Sequence, residues 1–262
     1  MIYLSIDFDY FVREKIIWDW GHSENYERLN LFGNLIWPIR YGSVDIFKET
    51  DPKTYADFQP IEILQRLRDK GLHINNQTKL GIAESHEKAY PFFANGGNPH
   101  LLIHLDAHHD LYSKGTLNCG NWLYHLAKKY HQLKVLFVHP NWALDEHLSS
   151  AEKDISKDIL KEVNIKYITY DQLPVLNQDI DKIFVCRSGV WVPPHFDRVF
   201  ENMVKLIAFS GILGNNITEY GLIKRDVITE KEAKKIYLDY QKSLKHLRDL
   251  QRKEMKNGRS SS

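Results

Sequence analysis

The sequence predicts an α/β domain built on a mainly parallel sheet, and three observations carry that expectation. Met1 to Ile6 and Leu101 to Leu105 are apolar runs with little alternation, the pattern of strands covered on both faces. From Leu101 onward, strand-like and helix-like segments alternate regularly, which implies parallel strands joined by helical crossovers. Each of the two apolar runs ends in a cluster of acidic residues and histidines, Asp7-Phe8-Asp9 and Asp106-Ala107-His108-His109-Asp110. Ligands of open α/β sheets gather at the carboxyl ends of their strands.

Taken in order, the first strand is followed by a stretch from 12 to 60 that is rich in Trp, Tyr, Asn, Gly and Pro and weakly periodic. Loops and short helices over the strand ends are expected there. Ile61, Leu64 and Leu67 have helical spacing through Lys70, and Gly71 is placed to end that helix. The alternation then runs Leu101 to Asp106 (strand), Asn121 to Tyr130 (helix), Lys134 to His139 (strand) and Ala151 to Val163 (helix). It continues with Ile165 to Tyr170 (strand), Ile180 to Arg187 (strand) and Phe196 to Phe209 (helix). Ala233, Ile236, Tyr237, Tyr240, Leu244 and Leu247 mark an amphipathic helix, with Thr229 and Glu232 as a capping box. The expected organisation is one catalytic domain over 1–228, this helix over 229–256 packing on it, and a disordered tail over 257–262.

Composition narrows the function classes. Thirty-five basic residues against 34 acidic ones leave a net charge of +1, so no global field favours nucleic acid or an anionic membrane. The two cysteines, Cys119 and Cys186, make no disulfide framework and read as ordinary thiols. The first residues carry Asp7, Asp9, Arg13 and Glu14 rather than a basic and then an apolar stretch, so no signal peptide is expected. No run approaches the roughly 18 apolar residues of a membrane helix, and a soluble cytoplasmic protein is the expectation.

The clusters point to metal. Side chains alternate along a strand, which would put Asp7 with Asp9, and Asp106 with His108 and Asp110, on common faces, with His109 opposite and structural. A binuclear divalent site needs bridging carboxylates and a few terminal ligands to lower the pKa of a shared water. Four aspartates balance two divalent cations, and neutral histidines complete the shells. Burying Asp106, His108 and Asp110 without a cation would be costly.

A family resemblance rests on the same residues. His104-Leu105-Asp106-Ala107-His108-His109-Asp110 resembles the D-A-H-x-D motif of the arginase, agmatinase and deacetylase superfamily, and Ser5-Ile6-Asp7-Phe8-Asp9 resembles its S-x-D-x-D motif. Glu84-Ser85-His86-Glu87 stands where that superfamily places a further histidine ligand. Asn121-Trp122, His139-Pro140-Asn141-Trp142, Arg187-Ser188 and Pro193-Pro194 extend the likeness to the UPF0489 family, over most of residues 1 to 200.

The resemblance implies a three-layer arginase-like fold with the S-x-D-x-D strand permuted to the N-terminus. It also implies a cytoplasmic ureohydrolase of the peptide arginase branch, which converts arginine side chains of a ribosomally made precursor peptide to ornithine and urea. Two Mn2+ per chain are implied. Asp106 and Asp7 would bridge them, His86 and Asp110 would be terminal ligands of one, and His108 and Asp9 of the other.

Asn121 and Arg187 are the candidate substrate contacts, though Arg187 reads slightly better as a salt-bridged scaffold residue than as an anchor for a substrate carboxylate; His139 and Trp142 read at least equally as a packed helix-entry turn. Arginases carry a proton-shuttling histidine where an ungapped match through Cys119-Gly120-Asn121 puts Leu123. His125, two residues on, is the substitute candidate. The carboxylate that grips the guanidinium has no clean match; Glu24, Glu27, Asp45 and Asp197 are the candidates. Competing readings are a metal-dependent deacetylase, an agmatinase-like small-molecule amidinohydrolase, a haloacid-dehalogenase-like phosphatase on the Asp7-Phe8-Asp9 strand, and a non-catalytic peptide-binding module.

Overall fold

The computed structural model describes residues 1–13, 37–38, 40–42, 46–143 and 155–258. Nine strands are described: β1 (Ile2–Asp7), β2 (Leu72–His73), β3 (Lys79–Ala83), β4 (Leu101–Leu105), β5 (Lys134–Val138), β6 (Asn164–Ile168), β7 (Gln178–Asp179), β8 (Lys182–Cys186) and β9 (Ile217–Glu219). Seven of them form one sheet in the order β6-β5-β4-β1-β8-β3-β9, and β2 pairs with β7 in a small second sheet. Every recorded pairing is parallel. The α/β class with a parallel sheet flanked by helices is therefore as the sequence predicts.

The helices whose bounds lie wholly among the described residues are α1 (Ile46–Glu49), α2 (Pro52–Tyr55), α3 (Ile63–Asp69), α4 (Ala89–Ala94), α5 (Trp122–Lys129), α6 (Lys157–Leu160), α7 (Asp197–Phe209) and α8 (Glu230–Gly258). Strand alternation sorts the core into two layers. Ile2, Leu4, Ile6, Ile103, Leu105, Ile183 and Val185 face one side, where Ile63 and Leu67 of α3 and Phe200, Met203 and Ile207 of α7 cover them. Tyr3, Leu102, Val135, Phe184 and Cys186 face the other, under Phe92 and Phe93 of α4 and Trp122, Leu123 and Leu126 of α5. Strands buried on both faces need no polar alternation, which is why β1 and β4 read as continuous apolar runs.

Several expected boundaries shift. The helix expected over 61–70 opens as a 3-10 turn at Pro60–Glu62 and ends at Asp69. Gly71 follows at φ 65°, as its placement predicts. An added Cβ there would also lie 2.4 Å from Asn177 Oδ1. Of the helix expected over 151–163, the described part is the single turn α6, and β6 begins at Asn164. The strand β3 and helix α4 have no counterpart among the expected elements.

Helix α8 starts on the expected capping box, Glu232 accepting from Thr229 N at 2.8 Å and Thr229 Oγ1 from Glu232 N at 3.3 Å. Its Ala233 and Ile236 pack with Trp37, Tyr41 and Ile46, whereas Leu238, Leu247 and Leu250 are exposed. The helix continues to Gly258, so residues 257 and 258, expected in a tail, close its last turn. No described helix is long and apolar enough to cross a membrane.

The sheet order fixes the location of the site. β1 lies between β4 and β8, with Ile6 opposite Leu105 and Asp7 opposite Cys186, while Ala83 of β3 is also level with Cys186. The carboxyl ends of β3, β8, β1 and β4 thus sit side by side at one edge. Residues 84–88, 187–189, 7–9 and 106–110 emerge there together.

A buried carboxylate and histidine centre

Five of the six predicted ligands are buried: Asp7, Asp9, His86, Asp106 and Asp110; His108 keeps 22% of its side chain exposed. His86 Nδ1 lies 3.0 Å from Asp7 Oδ2, 3.1 Å from Asp106 Oδ2 and 3.2 Å from Asp110 Oδ2. On the solvent side, His108 Nδ1 is 3.0 Å from Asp9 Oδ2 and 3.8 Å from Asp106 Oδ1. Two donor sets therefore share Asp106, one enclosed and one partly open. Donor atoms of Asp9, Asp106 and His108 lie within 4.8 Å of one another, as do those of His86, His104 and Asp106.

Pleat alternation is not what assembles them, and here the sequence reasoning is corrected. β4 stops at Leu105, and Asp9 already lies in the 3-10 turn Phe8–Phe11. The backbone instead curls around the carboxylates. His108 N donates to Asp106 Oδ1 at 2.7 Å, Ala107 N to Asp9 Oδ1 at 3.3 Å, and Asp9 N to Asp7 Oδ1 at 3.1 Å. Asp110 takes φ 52°, a left-handed conformation uncommon for aspartate, which belongs to the turn bringing its carboxylate back to His86.

A second layer of contacts orients these groups. Ser5 Oγ shares a hydrogen bond of 2.7 Å with His86 Nε2, leaving Nδ1 turned to the carboxylates. Trp122 Nε1 donates to Asp110 Oδ2, and Ser188 Oγ, itself at φ 49°, donates to Asp7 Oδ2. Ser5, Trp122 and Ser188 were not singled out as site residues from sequence. Nor was His104 of β4, fully buried with Nε2 3.3 Å from Asp106 Oδ2. Cys186, assigned no role from sequence, also comes within reach of Asp7 and His86; its Sγ contacts Glu84 O at 3.4 Å and Ser188 Oγ at 3.3 Å.

The electrostatics follow from crowding four carboxylates away from water. Burial, then the charges of Asp9, Asp110 and Asp7, hold the Asp106 carboxyl well above its usual pKa. Asp110 is raised as well, by burial, against the opposing pull of His86, His108 and Trp122. Burial works against charge on His86, but Asp106, Asp110 and Asp7 at its Nδ1 outweigh it and hold its pKa well up. The centre attracts positive charge, which protons or cations are able to supply. Its mixed oxygen and imidazole donors suit a divalent first-row metal ion.

Other predicted residues fall elsewhere. Arg187 is committed to the scaffold: it pairs with Glu84, reaches Asp197 Oδ2 at 3.2 Å and donates to Ile223 O. Asp197 is held in turn by Arg225, so its carboxylate does not stand open to a substrate guanidinium. An added Cβ on Gly189 would lie 1.8 Å from Glu84 Oε1, so the absence of a side chain there makes room for the pair.

Asn121 is buried within its own loop, donating to Thr116 O at 3.0 Å and Ser113 Oγ at 3.1 Å and accepting from Asn118 N at 2.8 Å. His125 Nε2 bonds Gly115 O at 2.9 Å, with its ring near Tyr90 and Tyr124. Neither Asn121 nor His125 makes a recorded contact with the centre. His109 accepts from Leu111 N at 2.9 Å and is pushed down to about 3 by burial and the neighbouring His108, in keeping with a structural role. His139 is buried and Trp142 Nε1 donates to Tyr10 O at 3.2 Å, as a packed turn requires. Glu24, Glu27 and Asp45 lie outside the described residues. Beside His108, Trp191 stands half-buried at 5.2 Å between ring centroids, which puts an aromatic wall at the open side.

The Glu84–Arg187–Asp197 pairing yields a stability prediction. Arg187→Ala leaves the buried Glu84 carboxylate without its ion-pair partner, while Asp197 keeps Arg225, and urea unfolding is expected to show a loss of about 3–5 kcal/mol. A loss below about 1 kcal/mol, the range of surface pairs, would contradict a structural role for Arg187.

Comparisons with protein-family models, curated proteins and solved structures return no match. The resemblance to UPF0489 rests on the motifs quoted above.

Proposed function

We propose that the centre holds two divalent metal ions, and that the protein is a manganese-dependent peptide arginase, hydrolysing arginine side chains of a precursor peptide to ornithine and urea. The observation that carries this reading is the convergence of six motif residues into two donor sets sharing Asp106. His86, Asp7, Asp106 and Asp110 would hold the enclosed ion; Asp9, Asp106 and His108 would hold the open one. Bound there, the pair of ions supplies a water of lowered pKa as nucleophile and Lewis acidity toward the substrate.

The chain's own groups set the rest. Ser5, Trp122 and Ser188 fix the ligand orientations, so the site is organised before substrate arrives. Four aspartates against two divalent ions leave no excess positive charge. That balance suits a cationic guanidinium and disfavours a phosphate ester. Entry is from the His108 and Trp191 side, where the exposed edge of the centre lies. The resemblance supplies manganese and the peptide substrate.

The test is to incubate Mn2+-loaded protein with an arginine-containing peptide and, separately, with free arginine, reading mass and urea. The reading predicts a loss of about 42 Da per modified arginine in the peptide, the mass that hydrolytic removal of urea takes away, with little turnover of free arginine. An unchanged peptide mass with acetyl-lysine peptides cleaved instead would overturn it in favour of a deacetylase.

A further inference from the structure

We infer that His104 is a further ligand of this centre, bound through Nε2 to the enclosed ion. The inference rests on the metal reading above and goes beyond it, because the D-A-H-x-D resemblance assigns no role to the residue two positions before its first aspartate.

His104 sits inside β4, opposite Ser5 of β1 and Phe137 of β5. It is fully buried, with its ring against Trp122 at 5.3 Å, Phe137 at 5.5 Å and His86 at 5.3 Å. Neither ring nitrogen makes a well-formed side-chain hydrogen bond, and the His108 backbone is the polar group that acts on the ring. Burying a polar ring with so few partners is costly, and an apolar side chain of similar volume would avoid that cost. A ligand role explains why an imidazole is there.

The distances agree. Nε2 is 3.3 Å from Asp106 Oδ2 and 3.8 Å from Asp110 Oδ2, the same two oxygens that His86 Nδ1 approaches at 3.1 and 3.2 Å. Asp106 Oδ2 has both imidazole nitrogens close. Donors around one ion bound at about 2.0–2.2 Å are separated by roughly 3.0–3.6 Å; the contacts to Asp106 and that of His86 to Asp110 fall in this range, and His104 to Asp110 lies just beyond it. From within β4, His104 Nε2 already reaches Asp106 Oδ2, so no rearrangement of the strand is needed. The enclosed position would then have two imidazoles and the open one a single imidazole. The enclosed ion should bind first and tighter, with greater preference for Zn2+ or Co2+ over Mn2+.

The experiment is a Co2+ titration of the chelated full-length chain and of His104→Ala and His104→Gln, followed by visible absorption and calorimetry. The unsubstituted chain should take up two ions in unequal steps. Both variants should lose at least about 100-fold in the tighter step, retain the weaker one within a few-fold, and show a changed Co2+ spectrum.

If the variants fail to fold, the Co2+-loaded parent answers the question alone. His86 and His104 should each give a hyperfine-shifted ring N–H signal protected from exchange, and only one such signal would overturn the assignment. Two ions bound at parental affinity without His104 would refute the His104 inference alone. A parent chain that takes up no ion would refute the metal reading itself.

Discussion

Asp106→Ala is expected to abolish both metal sites and lower activity by roughly 10^3-fold or more, because this is the carboxylate that both donor sets share. Loss of a terminal ligand such as His108, on the open side, should weaken one ion and leave the other. The chelated Asp106→Ala protein is expected to unfold at a higher temperature than the chelated parent. In the metal-free chain Asp106 is a source of strain, its carboxyl held up by burial and by the charges of Asp9, Asp110 and Asp7. A variant that loses activity by destabilising the fold would show the opposite shift. Metal content and melting of the two chelated proteins therefore separate loss of a ligand from loss of structure.

The stabilisation conferred by metal is expected to grow with pH. A carboxyl whose folded pKa is raised contributes stability that is present below its unfolded pKa, about 3.9, and is lost as pH rises through the folded value. Asp106 and Asp110 are both raised, so the chelated protein should lose their contribution as pH climbs above the ordinary carboxylate range. Bound cations replace the protons and relieve the same repulsion, and metal affinity itself rises as ligands deprotonate. At free metal near 1,000 times its Kd the gain is about 4 kcal/mol for each site. Melting curves with and without chelator from pH 5 to pH 8 should diverge as pH rises. Parallel curves would mean that the carboxylate cluster does not respond to divalent ions.

The parallel sheet and the position of the centre are legible because β1 and β4 are covered on both faces and end in the clusters of aspartate and histidine. The six residues of the centre are legible from motifs, but strand alternation is not what brings them together. Alternation places residues within a strand, and β4 ends before Asp106. The turn that closes around Asp106 and the left-handed Asp110 depend on hydrogen bonds from His108 N and Trp122 Nε1. A linear pattern does not display such contacts.

Arg187 illustrates a different limit. Its partner Glu84 is 103 positions away and becomes adjacent only because β3 and β8 pair in register. From sequence, an arginine at a strand end reads equally well as a substrate anchor. His104 was within reach of the reading, since Asp106 and His104 stand two apart, yet its apolar neighbours made it look like strand interior. Asn121 carries the same lesson in reverse: a polar residue beside a motif can be wholly consumed in shaping its own loop.

The most direct test of the central claim is anomalous diffraction from crystals of the protein grown with Mn2+. Two peaks are predicted, about 3.5–4 Å apart, with Asp106 touching both, His86 and Asp110 on the enclosed ion and His108 and Asp9 on the open one. Absence of any peak at the ends of β1 and β4, in crystals that contain the metal, would contradict it.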